Sequence, residues 1–232
     1  RGDRIAYIFQ DPQATLNPLM PVVDQVAETI ARHRGGAVRE EAEALLERVG
    51  LGGRGDARPH ELSGGQRQRV GIAMALANAP DVLIADEPTT ALDVTTQARV
   101  LDMLDELRRD EGAALVFITH DLGVVSELCE RLVVMYAGKV VETGPTATVF
   151  AEPRHPYTKR LLECVPVLGE PERALHPIEG MPPALDDLPR GCAFAPRCPL
   201  AEDACRRGPI ALEQVATDHQ ARCRRHLELA RG

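Results

Sequence analysis

The spacing of hydrophobic positions changes several times along the chain, and this alternation predicts an α/β fold. Short apolar runs typical of strands lie at Ile5–Phe9, Val82–Pro88 and Ala114–Ile118. The second and third runs are continuous enough to predict strands buried on both faces. Between the runs, apolar residues recur three or four positions apart, as on the buried face of a helix. We therefore expect strands with helices packed against them.

The region after the first strand predicts a group of helices. Val22–His33 and Val38–Val49 both have helical periodicity, and a glycine-rich loop at Gly50–Pro59 separates them from a helical pattern at Val70–Ala77. Four acidic side chains of the second helix should face solvent: Glu40, Glu41, Glu43 and Glu47.

The second half of the chain predicts further helices and a hairpin. A helical pattern follows Asp93 and continues to about Arg109. Gly138, between two apolar runs, predicts the turn of a hairpin. The remaining elements are expected to be helices at Asp121–Cys129, Thr146–Ala151 and His155–Cys164, and strands at Leu132–Ala137 and Val140–Thr143.

Composition narrows the class of protein. The chain has 232 residues, of which 44% are hydrophobic, enough for a substantial core. Its apolar runs are well short of the ~18 residues that a membrane span needs. The formal net charge of −8 argues against general nucleic-acid binding by the whole chain, because phosphate affinity depends on Lys and Arg. We expect the chain to meet a membrane only through partners.

A hydroxyl, two glycines and an amide, Ser63 to Gln66, stand directly before the helical segment that contains Val70. Ser63 falls at the N-cap position. The exposed amides of Gly64 and Gly65 at a positive helix end would suit a phosphate. Taken alone, the same residues also suit an ordinary loop and cap.

Polar side chains end two of the predicted strands. Asp86 and Glu87 close the second strand, and His120 follows the third. The carboxyl ends of parallel strands are where α/β proteins bind ligands. One carboxylate could hold Mg²⁺, and the other could polarise an attacking water. Each residue alone also suits a solvated turn, but together they favour a nucleotide site.

The order of these motifs resembles the second half of an ABC-transporter ATP-binding subunit. The matches are Gln10 to the Q-loop, Leu62–Gln66 to the ABC signature, Val82–Asp86 to Walker B, Glu87 to the catalytic glutamate, Ala91–Asp93 to the D-loop and His120 to the H-loop. Phe9–Pro12, Leu16–Pro18, His155–Thr158 and a cysteine-rich tail resemble the dipeptide, oligopeptide and nickel importers. The resemblance implies an α/β fold, an incomplete P-loop NTPase core with a helical subdomain and a small Cys-rich C-terminal module.

The resemblance implies a head-to-tail dimer in which ATP lies between two cassettes. Ser63, Gly64 and Gly65 would bind the γ-phosphate across the interface, and Gln66 would support that loop. Asp93 would couple the two ATP sites. Ser63, Gly64 and Gly65 would therefore act on the nucleotide held by a partner.

The remaining matches imply the chemistry of ATP hydrolysis. Asp86 and Gln10 would hold Mg²⁺, and Gln10 would also sense the metal and the γ-phosphate. Glu87 would act as the general base, while His120 would contact the γ-phosphate. In such a reaction, positioning and charge stabilisation supply most of the barrier reduction.

One family motif is missing from these 232 residues. The phosphate-cradling P-loop, Gly-x-x-x-x-Gly-Lys-Ser/Thr, does not occur: the one Gly-Lys pair, at Gly138, has neither the upstream glycine nor the following hydroxyl. The adenine-stacking aromatic, which precedes the P-loop in the family, would also be missing. We therefore expect an N-terminally truncated fragment that does not bind ATP in the usual way and is not active alone; an intrinsically degenerate subunit is the alternative.

The C-terminal part predicts a proline-rich linker, Pro166–Arg190, followed by four of the six cysteines. These have the spacing C-x5-C-x6-C-x17-C: Cys192, Cys198, Cys205 and Cys223. Disulfides, independent buried thiols and a four-thiolate metal site are the alternatives. So many thiols in a segment of little apolar mass favour the metal site. Cys129 and Cys164 lie on predicted helices and are expected to be core thiols.

The identity of such a metal is a separate question. The paired C-x2–4-C spacing common in zinc sites is absent, which mildly favours an iron–sulfur cluster over zinc. The family resemblance implies a 4Fe–4S cluster. The expected domains are a partial ATPase domain at 1–150 with its helical subdomain at about 17–78, a connecting helix and linker at 151–190, and the four-cysteine module at 191–232.

The resemblance implies ATP-driven import of dipeptides, oligopeptides or a related solute such as nickel, with ATP and Mg²⁺ as cofactors. The implied partners are membrane permease subunits, a second and related ABC ATPase subunit and, indirectly, an extracytoplasmic solute-binding protein. The protein would lie peripherally on the cytoplasmic face of the cell membrane. The alternatives are a soluble ABC ATPase of DNA repair or translation, which the tail disfavours, and a non-catalytic interaction or metal-binding fragment.

Overall fold

The computed structural model describes residues 4–35, 38–90, 92–165, 177–184 and 186–229. The chain forms two compact units, Arg1–His120 and Asp121–Gly232. Two predicted features lie partly outside the described residues: Ala91 of the D-loop match, and residues 166–176 and 185 of the proline-rich linker.

The first unit contains a parallel sheet of three strands, β1 (Ile5–Ile8), β2 (Val82–Asp86) and β3 (Ala114–Ile118), in the order β1-β2-β3. In the register, Ile5 lies opposite Val82, and Asp86 lies opposite Ile118. The carboxyl ends of β2 and β3 therefore meet at one edge of the sheet. This arrangement brings the residues after both strands into the same region.

Among the described residues of this unit, five helices accompany the sheet. They are α1 (Pro12–Thr15), α2 (Val22–Arg34), α3 (Arg39–Arg48), α4 (Gly64–Leu76) and α5 (Val94–Glu111). Fully buried side chains of α2, α3 and α4, such as Ile30, Leu46 and Ile72, share one core with Ile8 and Leu83 of the sheet. The helix predictions are confirmed, and the four glutamates of α3 are exposed as expected.

The prediction that β2 and β3 are buried on both faces is wrong for this structure. Leu83 and Ala85 are buried, but Val116 and Ile118 remain 48% and 45% exposed. Helix α4 packs on the sheet from the side of Ala85, and within this unit the described residues leave the opposite face uncovered. An apolar run records how hydrophobic a strand is, whereas burial depends on what packs against each face.

The second unit is built on an antiparallel sheet, β4 (Arg131–Tyr136), β5 (Lys139–Pro145), β6 (Glu213–Ala216) and β7 (His219–Ala221), in the order β4-β5-β7-β6. Its helices are α6 (Leu122–Leu128), α7 (Thr146–Ala151), α8 (Pro156–Glu163), α9 (Asp203–Arg206) and α10 (His226–Leu229). The predicted hairpin turn is confirmed, with a positive φ of 74° at Gly138. Strand β7 pairs with β5, so the cysteine-containing segment joins the sheet that begins with β4.

The compact units divide at His120, whereas the sequence predicts an ATPase domain that ends near residue 150. Compactness alone does not define a functional domain, so the predicted limits stay a proposal. None of the helices in the described part of the chain is both long and apolar enough to cross a membrane.

Candidate functional site

The segment Ser63–Gln66 forms a capped helix start, as predicted. Ser63 is the N-cap of α4, and its Oγ accepts a hydrogen bond from the Gln66 backbone N–H at 3.2 Å. In return, Gln66 Oε1 accepts one from the Ser63 N–H at 2.9 Å. Ser63 and Gly64 are exposed, so this positive helix end is open to solvent.

Gly65 is buried where α4 approaches the start of α5. A Cβ placed on Gly65 would lie 2.4 Å from Cγ2 of Thr96, whereas one placed on Gly64 would meet nothing within 4 Å. Thr96 in turn donates to Asp93, the N-cap of α5, through its N–H at 3.0 Å and its hydroxyl at 2.7 Å. The hydroxyl and N–H of Thr96 lower the pKa of Asp93. Thr96 therefore links Asp93 of the D-loop match to Gly65 of the signature match.

We expect Gly65→Ala to destabilise the fold by about 1–3 kcal/mol, because the added methyl overlaps Thr96. Gly64→Ala is the matched control and should change the free energy of unfolding by only a few tenths of a kcal/mol, roughly, since its Cβ would be unobstructed. Urea unfolding followed by circular dichroism measures both variants. Equal stabilities would contradict the close approach of α4 and α5.

Glu87 occupies a strained turn at the end of β2. Its φ is 44°, in the left-handed region that costs a non-glycine residue about 1–3 kcal/mol. The Glu87 N–H donates to the Ile118 carbonyl at 2.9 Å, and the Thr90 N–H donates back to the Glu87 carbonyl at 3.1 Å. The turn is thus hydrogen-bonded to the end of β3, two residues before His120.

The Glu87 carboxylate is the centre of a small polar cluster. Its Oε2 accepts hydrogen bonds from Gln10 Nε2 at 2.9 Å and from the Thr90 hydroxyl at 2.8 Å. His120 Nδ1 lies 3.3 Å from Oε1. The Thr90 hydroxyl, and then His120, lower the pKa of Glu87 and so favour the carboxylate form. The three side chains predicted to be catalytic are therefore in contact, together with Thr90, which the sequence reasoning missed.

Asp86, the last residue of β2, has a separate partner. The Tyr7 hydroxyl donates to Asp86 Oδ2 at 2.5 Å, and this hydrogen bond raises the pKa of Tyr7. Tyr7 lies opposite Ile84 in the register, two residues before Asp86 on the same face of the sheet. Sequence reasoning missed Tyr7, because the pairing register of β1 and β2 is not recorded in the sequence of either strand. Gln10, the other predicted Mg²⁺ ligand, binds Glu87 here, so the Mg²⁺ assignment stays a prediction.

A second group of polar residues surrounds the buried carboxylate of Glu142 in the other unit. Its Oε1 accepts from the Arg154 N–H at 2.6 Å and from His219 Nε2 at 2.8 Å, and its Oε2 accepts from the His155 N–H at 3.0 Å. Glu142 and His219 are fully buried. No pattern in the sequence had indicated this network.

The four predicted cysteine ligands line one small cavity of the second unit: Cys192, Cys198, Cys205 and Cys223. Burial raises the pKa of the Cys192 and Cys198 thiols and raises that of Cys223 to about 12. Within the described ranges, however, no three His, Cys, Asp or Glu side chains are grouped so that they could hold a metal ion. The predicted metal-binding module is thus not confirmed. Cys129 packs at the edge of the core, as expected.

Comparison with known proteins places this geometry in a family. Residues 1–90 match the family described as ABC transporter, and residues 141–205 match the family described as oligopeptide/dipeptide transporter, C-terminal region. The dipeptide transport ATP-binding protein DppD of Escherichia coli is 48% identical over 228 residues, covering 96% of this chain and 70% of that protein. The chain belongs to the ATP-binding subunits of the ABC peptide importers.

Other members of the family support the same assignment. The oligopeptide transport ATP-binding protein OppD of Mycobacterium tuberculosis is 51% identical over 240 residues, covering all of this chain and 39% of OppD. Among solved structures, a dimer of the ATP-binding cassette MJ0796 bound to ADP and Pi is 34% identical with a TM-score of 0.57, over 63% of this chain and 64% of that one. The fold is therefore that of an ABC ATPase cassette, over the part that aligns.

Proposed function

We propose that this chain acts as the ATP-hydrolysing subunit that drives the import of peptides. One observation carries the proposal: the Glu87 carboxylate, at the carboxyl end of β2, is held by Gln10 and Thr90 beside His120. Glu87 would accept the proton of the attacking water. The hydrogen bonds that lower the pKa of Glu87 favour its carboxylate form, the form that can accept a proton. The non-catalytic fragment remains the less favoured alternative.

Asp86 and Gln10 would hold Mg²⁺ in this proposal. Carboxylate and amide oxygens are hard ligands and suit that ion. When bound, Mg²⁺ supplies positive charge that stabilises the developing phosphate charge. The residues of this chain position the reacting groups. Gln10 would orient Glu87, and His120 would approach the γ-phosphate from the end of β3.

The signature helix would act on a nucleotide held by a second cassette. Ser63, Gly64 and Gly65 would meet its γ-phosphate, since Ser63 and Gly64 are exposed at the positive end of α4. Gln66 supports this arrangement through its reciprocal hydrogen bonds with Ser63. Asp93 would couple the two sites, and its link through Thr96 to Gly65 supports that role.

We further propose the partners that this function requires. These are membrane permease subunits, a second and related ATPase subunit, and a solute-binding protein that acts through the permease. The subunit would lie peripherally at the cytoplasmic face of the membrane, with the helical subdomain at about residues 17–78 facing the permease. The limits of the ATPase domain and of the C-terminal module, near residues 150 and 190, belong to the same proposal.

Uptake measurements test the peptide assignment. The transporter would be assembled with its permease in vesicles and supplied with ATP and either labelled dipeptides or nickel. We expect ATP-dependent accumulation of peptide that requires the solute-binding protein. Accumulation of nickel alone, or ATP turnover without either transport, would overturn the assignment.

Thr90→Ala tests the environment of the proposed base. Loss of the Thr90 hydroxyl removes the largest cause of the lowered pKa of Glu87, so that pKa should rise. The acidic limb of the pH profile of ATP turnover should then move to higher pH. Thr90→Ser keeps the hydroxyl and should keep the original profile. Superimposable profiles for Thr90→Ala and the unmodified protein would contradict this role.

We also propose that the cysteine cavity holds a 4Fe–4S cluster. Four thiols around one cavity suit this group by donor type, and a cluster spreads its sulfur ligands more widely than a single ion does. When bound, such a cluster supplies one-electron redox chemistry and cross-links the segment. Anaerobic purification followed by absorption spectra and analysis of iron, sulfide and zinc tests the proposal. A colourless protein with stoichiometric zinc would overturn it.

A further inference from the structure

The histidine that caps α8 is not among the residues that we propose for ATP hydrolysis. His155 is only 1% exposed, in the second unit. It is the N-cap of α8, where its Nδ1 accepts a hydrogen bond from the Tyr157 N–H at 3.1 Å. A buried polar side chain of this kind should have a partner for each of its polar atoms. The other ring nitrogen is therefore informative.

The cap fixes the position of the ring hydrogen. Because Nδ1 accepts a hydrogen bond from a backbone N–H, it carries no hydrogen itself. The single ring hydrogen of the imidazole is therefore on Nε2, which must act as a donor. Nε2 lies 3.9 Å from Sγ of Cys192, within hydrogen-bond range for sulfur.

Neighbouring groups hold both His155 and Cys192 in place. The His155 N–H donates to the buried Glu142 carboxylate at 3.0 Å, and the Phe194 ring lies 6.0 Å from the imidazole. On the other side, the Cys192 N–H donates to the Cys205 carbonyl at 2.8 Å. His155 also lines the cavity of the four cysteines. The N–H to sulfur contact is thus built from fixed elements of β5, α8 and the cysteine segment.

We propose that His155 is a positioning residue of the cysteine centre, which donates its Nε2–H to the Cys192 sulfur. This inference rests on the proposed four-thiolate centre. A hydrogen bond to a ligating sulfur orients the ligand and stabilises its negative charge. In an iron–sulfur centre it also makes reduction easier, because reduction adds negative charge. Through His155, the position of α8 would thereby influence the metal affinity and the midpoint potential of the cysteine centre.

A pair of variants separates this role from helix capping. His155→Asn keeps a side-chain oxygen for the cap but is too short to reach Cys192. His155→Ala loses both functions. The control is His60→Asn, because His60 is an exposed residue of the first unit. We would purify all four proteins anaerobically and measure metal content, retention of metal against a chelator, and the midpoint potential by a redox titration followed by electron paramagnetic resonance.

We expect His155→Asn to bind metal and to keep its helix content, but to have a more negative midpoint potential and about 10- to 100-fold weaker retention. A potential and a retention identical to those of the unmodified protein would overturn the role of His155 while leaving the centre in place. If zinc were bound instead, the cluster proposal would fail, and retention would still decide the role of His155. An unmodified protein without any metal would overturn both.

Discussion

Glu87→Gln, made in a subunit that also carries the P-loop of the family, is expected to reduce ATP turnover in the assembled transporter by about 10²- to 10⁴-fold, the usual contribution of a general base. Glutamine has nearly the same shape, and its amide oxygen can still accept the hydrogen bond that Thr90 donates to Glu87. What the variant loses is the ability to take a proton from water. Steady-state phosphate release measures the effect.

Two further measurements make that result specific. ATP binding by the variant should be nearly unchanged, because the lost group acts in the chemical step rather than in ground-state binding. Glu47→Gln, on the exposed face of α3, is a matched control and should retain full turnover. If Glu87→Gln and Glu47→Gln hydrolyse ATP at the same rate, Glu87 is not the base, and the proposed function loses its central observation.

The parts of this site that could be predicted from sequence are those fixed by local rules. Ser63 and Gln66 are three residues apart, so their reciprocal hydrogen bonds follow from the geometry of one helical turn. Glu87 and His120 each follow a strand. The ends of neighbouring parallel strands meet, so their proximity follows once both strands are recognised.

The missed parts depend on contacts that no local pattern records. Tyr7 reaches Asp86 only because β1 and β2 pair in one particular register. The half-exposed face of Val116 and Ile118 depends on which elements pack there, and an apolar run is the same whether or not a face is covered. Strand β7 adds to β5 from 77 residues away, as the Glu142–His219 contact shows, and its short sequence has no strand periodicity of its own.

Glu142→Leu should have the largest effect on stability, about 3–5 kcal/mol for the second unit. The fully buried Glu142 accepts three hydrogen bonds, from the N–H groups of Arg154 and His155 and from His219 Nε2. Leucine fills similar space but leaves all three donors buried without an acceptor. Glu142→Gln should cost less, about 1–3 kcal/mol, because its amide oxygen can still accept at one of the two oxygen positions. Only the donors that face the amide nitrogen lose their acceptor.

Hydrogen exchange followed by mass spectrometry localises this loss. Protection should fall in β5, in β7 and at residues 154–155 just before α8, since these segments hold the carboxylate and the three donors. The first unit should keep its protection. Glu213→Gln, an exposed position on β6, is the control and should behave like the unmodified protein. A Glu142→Leu variant with unchanged protection in β5 and α8 would show that the network does not stabilise the unit. Because the His155 N–H is one of the donors, Glu142→Leu should also weaken metal retention. The stability of the Glu142 network would then be coupled to metal binding in the cysteine cavity.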